Sequence, residues 1–591
     1  MEKAEFEQLI SQLETDASSV KYDFQIAEFF EKLLDENKVK LTPEQDQKLR
    51  WEFLLFRLTT KNKFASDGTS TDRFVPMAIF EGGGIFPDPN SLTPALEYFE
   101  ERAKMCTNSI LKARYLDILW EKSQSKSKHL FAIEAVSEYL SNVDQYENEE
   151  AIMERLDGLQ RATELALIIE KNTDKKILTN KIVSKLNEQI ESTSKTGKCR
   201  WLIEMFELVV SLISFYSNEE LLRFASVCDL AVDSYHKESN FHIQRHFLAL
   251  KSQLLKSVLP TSKQEIDEAI GQTYLDEADA KSDSGIVRAH FLQEAVDHFN
   301  KLGNKKKVDE LISQIKDATK QAIDNKEFKQ FSSTIELKPE DEKSIKESLG
   351  KGEEVPERMG TVSTFFPNWN HAVKMTEDHS KKFVFMHLAK KVTFGSKYPI
   401  SDPRTPEKET EDQVMGNFQI EVQIANQWLT IFLGQLIEAD KVSAEDFRKF
   451  FSKLELIDPD TYSTVMEGVN LYFEGKHFQA VCVLAPQLED LLRHLLSIFG
   501  GQTTTLHKDA HAFTEKNLNR ILAELRPHIS DELFHYISWV MDDYRGYNLR
   551  YMVGHGFFKT KHGSTLYSTA LLHIFCVLIA NTNIVMKVQE K

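Results

Sequence analysis

The sequence predicts an all-α protein: a helical-hairpin, α-solenoid-like N-terminal and middle region followed by a C-terminal helical bundle. Three observations predict it. Apolar residues recur at three- and four-residue steps along almost the whole chain. Between residues 93 and 329 these periodic segments pair across short loops carrying Asn, Asp, Ser or Gly. From His477 onward, four segments with apolar stripes follow one another closely.

In chain order, residues 5–13, 24–34 and 45–58 read as amphipathic helices of an N-terminal domain spanning 1–92. The pattern breaks over 59–92. There Glu81-Gly82-Gly83-Gly84 and Pro87-Asp88-Pro89 demand a loop. A triple glycine can cradle a phosphate, but no Gly-Lys-Ser/Thr follows, so the loop reads as structural. Residues 93–331 form the hairpin region, with 95–105 pairing 108–120, 130–140 pairing 152–169, and 287–302 pairing 308–322. No strict repeat motif marks them. Composition shifts over 332–410, where 339–357 is charged and poor in apolar residues. That stretch reads as a linker or exposed helix, and the main domain boundary is placed there. The C-terminal domain, 411–591, opens with amphipathic segments at 413–437 and 444–456. Its bundle comprises 477–499, striped by Val481, Leu484, Leu488, Leu491, Leu495 and Ile498; 514–525, stopped by Pro527; and a helix capped by Ser530 that carries Leu533, Ile537, Val540 and Tyr544 inward. An apolar helix over 565–586 completes it.

At 591 residues the chain is too long for one compact core. Its 41% hydrophobic and 28% charged residues are those of an ordinary globular protein. A net charge of −18 argues against coating nucleic acid or anionic membrane with the whole surface. From Gly501 onward ten basic residues face eight acidic ones, a local balance of +2, which leaves about −20 on the rest. A polyanion is therefore tolerated best at the C-terminal end. Five scattered cysteines, Cys106, Cys199, Cys228, Cys482 and Cys576, show no paired spacing. They fit a reducing, cytoplasmic setting and no zinc ribbon. The acidic, amphipathic start is unlike a signal peptide. The apolar stretch 566–586 contains His573, Asn581 and Asn583 and reads as a buried helix, not a membrane span.

The chemistry concentrates in Arg550-Tyr551-Met552-Val553-Gly554-His555-Gly556. Histidine titrates near neutrality and can move a proton, while arginine presents a permanent fork of donors suited to phosphate. Together they suit phosphodiester cleavage without a metal. Five residues apart on an ideal helix, the two side chains point about 140° from each other. They converge only if the helix loosens, which Gly554 and Gly556 permit. A structural alternative stands beside this: His555 as a helix C-cap favoured by the dipole. Glu489 and Arg493, four apart, read as a surface pair; Glu489 orienting Arg550 is the functional alternative. His507 and His511 also sit four apart, but Lys508 stands where a zincin carries glutamate and no third ligand is identifiable. Asp542 and Asp543 read as a solvated acidic face. No metal and no cofactor is expected.

Four helices with Arg-x4-His before the last resemble the HEPN superfamily of metal-independent ribonucleases and toxins. Within it the chain is similar to the family marked by Arg-Asn-x-x-x-His-Gly, to which an endoplasmic-reticulum membrane-associated RNA-degradation protein belongs. The first bundle helix of that family is matched by Pro486-Gln487-Leu488-Glu489 and Arg493. The likeness covers the C-terminal fifth only. It implies an endoribonuclease in which RNA's 2′-hydroxyl attacks the neighbouring phosphate, His555 moves protons and Arg550 steadies the charge. It also implies a homodimer through this domain, with a protein partner left to the hairpin region and no membrane association. RNA turnover, stress or antiviral defence would be its setting. Tyr551 stands where the family has asparagine. Its hydroxyl, or the nearby Asn548, is expected to take the amide's place; the alternative is an inactive HEPN-like scaffold that binds RNA or dimerises.

Overall fold

The computed structural model describes residues 1–60, 73–80, 84–146, 150–195, 199–328, 338–382, 393–394, 399–401, 405–452, 459–506 and 512–589. The protein is all-α, with 25 helices and four short two-stranded hairpins among the described residues. It divides into two compact units: Met1–Asp283 with His290–Gln314, and Ser284–Ala289 with Ile315–Lys591.

The N-terminal unit begins with α1 (Lys3–Asp16), α2 (Phe24–Asn37) and α3 (Pro43–Arg57). Helix α3 starts where it does because Thr42 and Gln45 exchange reciprocal hydrogen bonds ahead of Pro43. The break in periodicity that follows holds β1 (Thr59–Thr60) against β2 (Phe74–Val75), and β3 (Ala78–Ile79) against β4 (Ile85–Phe86). Of the predicted glycine loop, Glu81, Gly82 and Gly83 lie outside the described residues. The predicted hairpins follow as α4 (Leu96–Met105), α5 (Ser109–Lys122), α6 (His129–Gln145) and α7 (Ile152–Ile169), each packed on the next. Then come α8 (Ile177–Lys195), α9 (Leu202–Ser211), α10 (Asn218–Lys237), α11 (Phe241–Leu255) and α12 (Ser262–Ala280). The unit's core runs through Phe30, Phe56, Phe99, Tyr115, Phe206 and Phe224. Inside it the Arg161 guanidinium donates to Asp117 at 2.7 Å, Glu164 at 2.8 Å and Glu121 at 2.5 Å. Such a buried charge is tolerable only because it is fully paired. Helices α13 (Gly285–Lys301) and α14 (Lys305–Asp324) contribute residues to both units.

Within 332–410, where composition suggests a linker, the described residues fold. They form α15 (Pro339–Leu349), α16 (Glu354–Thr361), α17 (Trp369–Lys382) and the hairpin β5 (Thr393–Phe394) with β6 (Pro399–Ser401). Apolar residues of this region, Leu349 and Val355 in the charged stretch and Met359, Phe365 and Ala372 after it, belong to the C-terminal core. Sparse apolar residues suffice when each is placed on the buried side.

The C-terminal unit continues with α18 (Pro406–Ala439), α19 (Ala444–Phe451), α20 (Pro459–Phe473) and α21 (His477–Ile498). Next is β7 (Thr504–Leu506) paired antiparallel with β8 (Phe513–Glu515), then α22 (Leu518–Leu525), α23 (Asp531–Met541), α24 (Leu549–Gly554) and α25 (Thr565–Gln589). The strand β8 replaces the first turn of the helix expected from 514. Tyr544, expected inward, is exposed because α23 ends at Met541. Every residue of α25 from 568 to 580 is buried, as its apolar sequence predicts. Helices α16, α18, α20, α21 and α23 surround it. No helix among the described residues is long and apolar enough to cross a membrane.

Two contacts with α25 are testable. At Gly360 in α16, an added Cβ would lie 2.3 Å from the Cys576 carbonyl oxygen and 2.7 Å from the Ala580 Cβ. Gly360→Ala is therefore expected to lower stability by about 1–3 kcal/mol. An unchanged urea midpoint would refute the close approach. His573 is buried, its Nε2 donates to the Met359 carbonyl at 2.9 Å, its Nδ1 lies 3.2 Å from Tyr536 Oη, and burial pushes its pKa down from 6.5 to about 4. Between those values the unfolded chain binds the extra proton. Stability should thus fall as pH drops from about 6.5 to about 4, by up to about 1.4 kcal/mol per pH unit from this residue. Urea titrations across that window should show a shallower slope for His573→Asn.

Candidate functional site

Helix α24 is a single short element held by its first residue, Leu549, which is buried. Asn548 precedes it in the left-handed region (φ 48°, ψ 43°), a conformation asparagine adopts more readily than most residues. The helix stays regular through Gly554. His555 is the C-cap, its N–H donating to the Tyr551 carbonyl at 3.0 Å, and Gly556 turns the chain away at φ +67°. The loosening expected between Arg550 and His555 is absent, and among the described residues no hydrogen bond joins them.

Arg550 turns instead toward α21. Its Nε donates to Glu489 Oε2 at 3.2 Å. The other carboxylate oxygen accepts from Arg493 Nη2 at 3.3 Å. Glu489 thus serves both alternatives read from the sequence: it forms the i,i+4 pair with Arg493, and it holds Arg550. Its side chain is 15% exposed and that of Arg550 39%. Solvent screening keeps such a pair below about 1 kcal/mol of stability, so its effect is on orientation. Only Nε is engaged. Both terminal NH2 groups of Arg550 have no hydrogen-bond partner among the described residues. Arg493 is further tied to Asp490 at 3.4 Å and to Glu515 on β8 at 3.2 Å.

His555 is exposed, with its ring 4.5 Å from that of Tyr551 and 6.3 Å from that of Phe557, centroid to centroid. Tyr551 supplies an aromatic face beside the histidine. Tyr551 also lines an open cavity of about 640 Å³, walled by Tyr544, Tyr547, Tyr551, Phe558 and Tyr567, with Asn548 and His562 as polar members. The sequence reading missed this cavity. Its one signal is the density of aromatic residues between 544 and 567.

Asp542 and Asp543 are not a solvated face. Asp543 accepts from Arg545 Nε at 2.9 Å and Nη2 at 2.8 Å, and Arg545 also reaches Glu411 and Asp412 on α18. Burial pushes the Asp542 carboxyl above the usual carboxylate value. The Arg550 charge opposes the rise, and Asp543 and Glu489 add to it. His507 and His511 lie outside the described residues, among which no cluster of three or more potential metal ligands occurs.

Residues 8–177, in the N-terminal unit, match a family described as a domain of unknown function (DUF7380). No curated protein matches the chain. The matched span does not include the Arg550–His555 segment, so what that segment does rests on its own geometry.

The coupling of Arg550 to Asp542 can be measured without any substrate. Arg550→Ala removes the opposing charge and should raise the Asp542 pKa further, whereas Arg550→Lys should leave it nearly unchanged. Carboxyl titration by NMR reads the shift; equal values in wild type and Arg550→Ala would mean the charges do not interact.

Proposed function

We propose that the C-terminal unit is a metal-independent endoribonuclease of HEPN type. The observation that carries this is the hydrogen bond from Arg550 Nε to Glu489, which orients the guanidinium while leaving its two terminal NH2 groups free for a phosphate. In the proposed reaction the 2′-hydroxyl of RNA attacks the adjacent phosphorus and its proton passes to His555. The bond to the 5′ oxygen breaks, and that oxygen receives a proton from an imidazolium. The products are a 2′,3′-cyclic phosphate and a 5′-hydroxyl. Arg550 stabilises the charge on the non-bridging oxygens. Two copies paired through this unit would offer one histidine as base and a second as acid. The same reading places the enzyme in the cytoplasm, with RNA as substrate and a protein partner on the hairpin region.

Two observations favour a second reading, an inactive HEPN-like scaffold that binds RNA or dimerises. Arg550 and His555 point to different neighbours, and Tyr551, not asparagine, follows the arginine. The two readings separate in a cleavage assay on mixed cellular RNA in EDTA. The enzyme should leave cyclic phosphate ends, and His555→Ala should lower the rate by about 10²–10⁴-fold with fold and dimer intact. Identical behaviour of wild type and His555→Ala would leave the scaffold.

A further inference from the structure

We propose that the aromatic cavity beside α24 holds one unpaired nucleobase of the RNA strand, so that the site takes single-stranded RNA and not duplex. This rests on the nuclease reading for its substrate, but it is built from different residues. The cavity, at about 640 Å³, is within the size range of small-ligand sites, and a single base fills it only in part. Tyr544, Tyr547, Tyr551, Phe558 and Tyr567 line it. Flat aromatic bases stack on such rings whatever their sequence. A base within a duplex cannot reach them without being splayed out.

The polar members suit the edge of a base. Asn548 lines the cavity with a side chain that makes no cap hydrogen bond, so its amide offers both a donor and an acceptor. The Nδ1 of His562 accepts the Lys559 backbone N–H at 3.0 Å. The neutral ring then carries its proton on Nε2, as a donor. Lys559 and Lys561 precede His562, both exposed. They give the chain entering the cavity a positive margin for its phosphates.

Tyr551 connects the cavity to the Arg550–His555 segment. It forms one wall, and its ring lies 4.5 Å from that of His555. Asn548, Leu549, Tyr551 and Met552 face the cavity, while Arg550 leaves the same short helix on the side of Glu489. A base stacked against Tyr551 is held by the residue that follows Arg550 in the chain and lies one helical turn before His555. The tyrosine at the family's asparagine position thereby acquires a role: it is a specificity residue for an unstacked base.

The test measures binding without cleavage, using a short single-stranded 2′-O-methyl oligonucleotide, which lacks the attacking hydroxyl, and the full chain. Tyr544 is 53% exposed, so Tyr544→Ala should fold normally. It is expected to weaken binding about tenfold, the scale of one lost base–aromatic stack. An oligonucleotide with one abasic sugar in place of the bound base should bind wild type more weakly by a similar factor, and a 2-aminopurine there should lose emission on binding. Equal affinity of wild type and Tyr544→Ala, with 2-aminopurine unaffected, overturns the proposal even if the enzyme cleaves RNA. Equal affinity for duplex also overturns it. Adenosine monophosphate binding as tightly as the oligonucleotide would make the cavity a free-nucleotide site and overturn the strand assignment. Base capture with no cleavage in the EDTA assay sustains the cavity while removing the nuclease reading.

Discussion

The C-terminal unit is organised by the need to cover α25 on every side. A helix buried through all of residues 568–580 cannot lie at a surface, so neighbours must close around it, and α16, α18, α20, α21 and α23 do so. Its polar groups are met as they enter the core. Ser568 bonds His477 at 3.0 Å, Thr569 bonds Tyr472 at 2.9 Å, and His573 lies between Tyr536 and the Met359 carbonyl. Each unmet group would cost about 1–3 kcal/mol, so these partners fix the rotation of α25 as well as its depth. The position of α21 against α25 in turn sets where Glu489 projects, and hence where Arg550 can be held.

The elements legible in the sequence are those whose signal is local and long. The 3.6-residue stripe on 477–499 marks α21 almost to the residue, and the apolar run at 565–586 marks α25. Ser530 with Asp531 and Glu532 places the start of α23 through its cap. What was not legible depends on contacts distant in sequence. The charged stretch 339–357 reads as a linker or exposed helix until the helix that starts at Glu354 packs on α25 and takes Val355 into the core. The strands β7 and β8 are three residues each, too short for an alternation to stand out. Tyr544 continues the stripe of α23 on paper, but the helix has already ended.

The site was legible in part for the same reason. Arg550, His555 and Glu489 can be singled out as residue types at a motif, and the i,i+4 bond between Glu489 and Arg493 follows from helix geometry alone. The bond from Arg550 to Glu489 spans 61 residues of chain, and no spacing rule reaches that far. The convergence of Arg550 with His555, by contrast, is expected from glycine's freedom. The helix does not use that freedom where convergence needs it: it remains regular through Gly554 and turns only at Gly556.

The charge around the motif bears on how RNA would be held. Arg550 and Arg493 are matched by Glu489, Asp490, Glu515 and the partly buried Asp542, so this face has no surplus of positive charge. Proteins that grip nucleic acid through many phosphate contacts rely on such a surplus. Among the described residues around the motif, Coulomb attraction is left to the free NH2 groups of Arg550 and the exposed Lys559 and Lys561. Affinity for a strand would then have to come chiefly from stacking in the aromatic cavity, which is indifferent to salt and to the −18 carried by the whole chain. On that reading, an acidic protein can act on RNA because it recognises an exposed base before it recognises a polyanion.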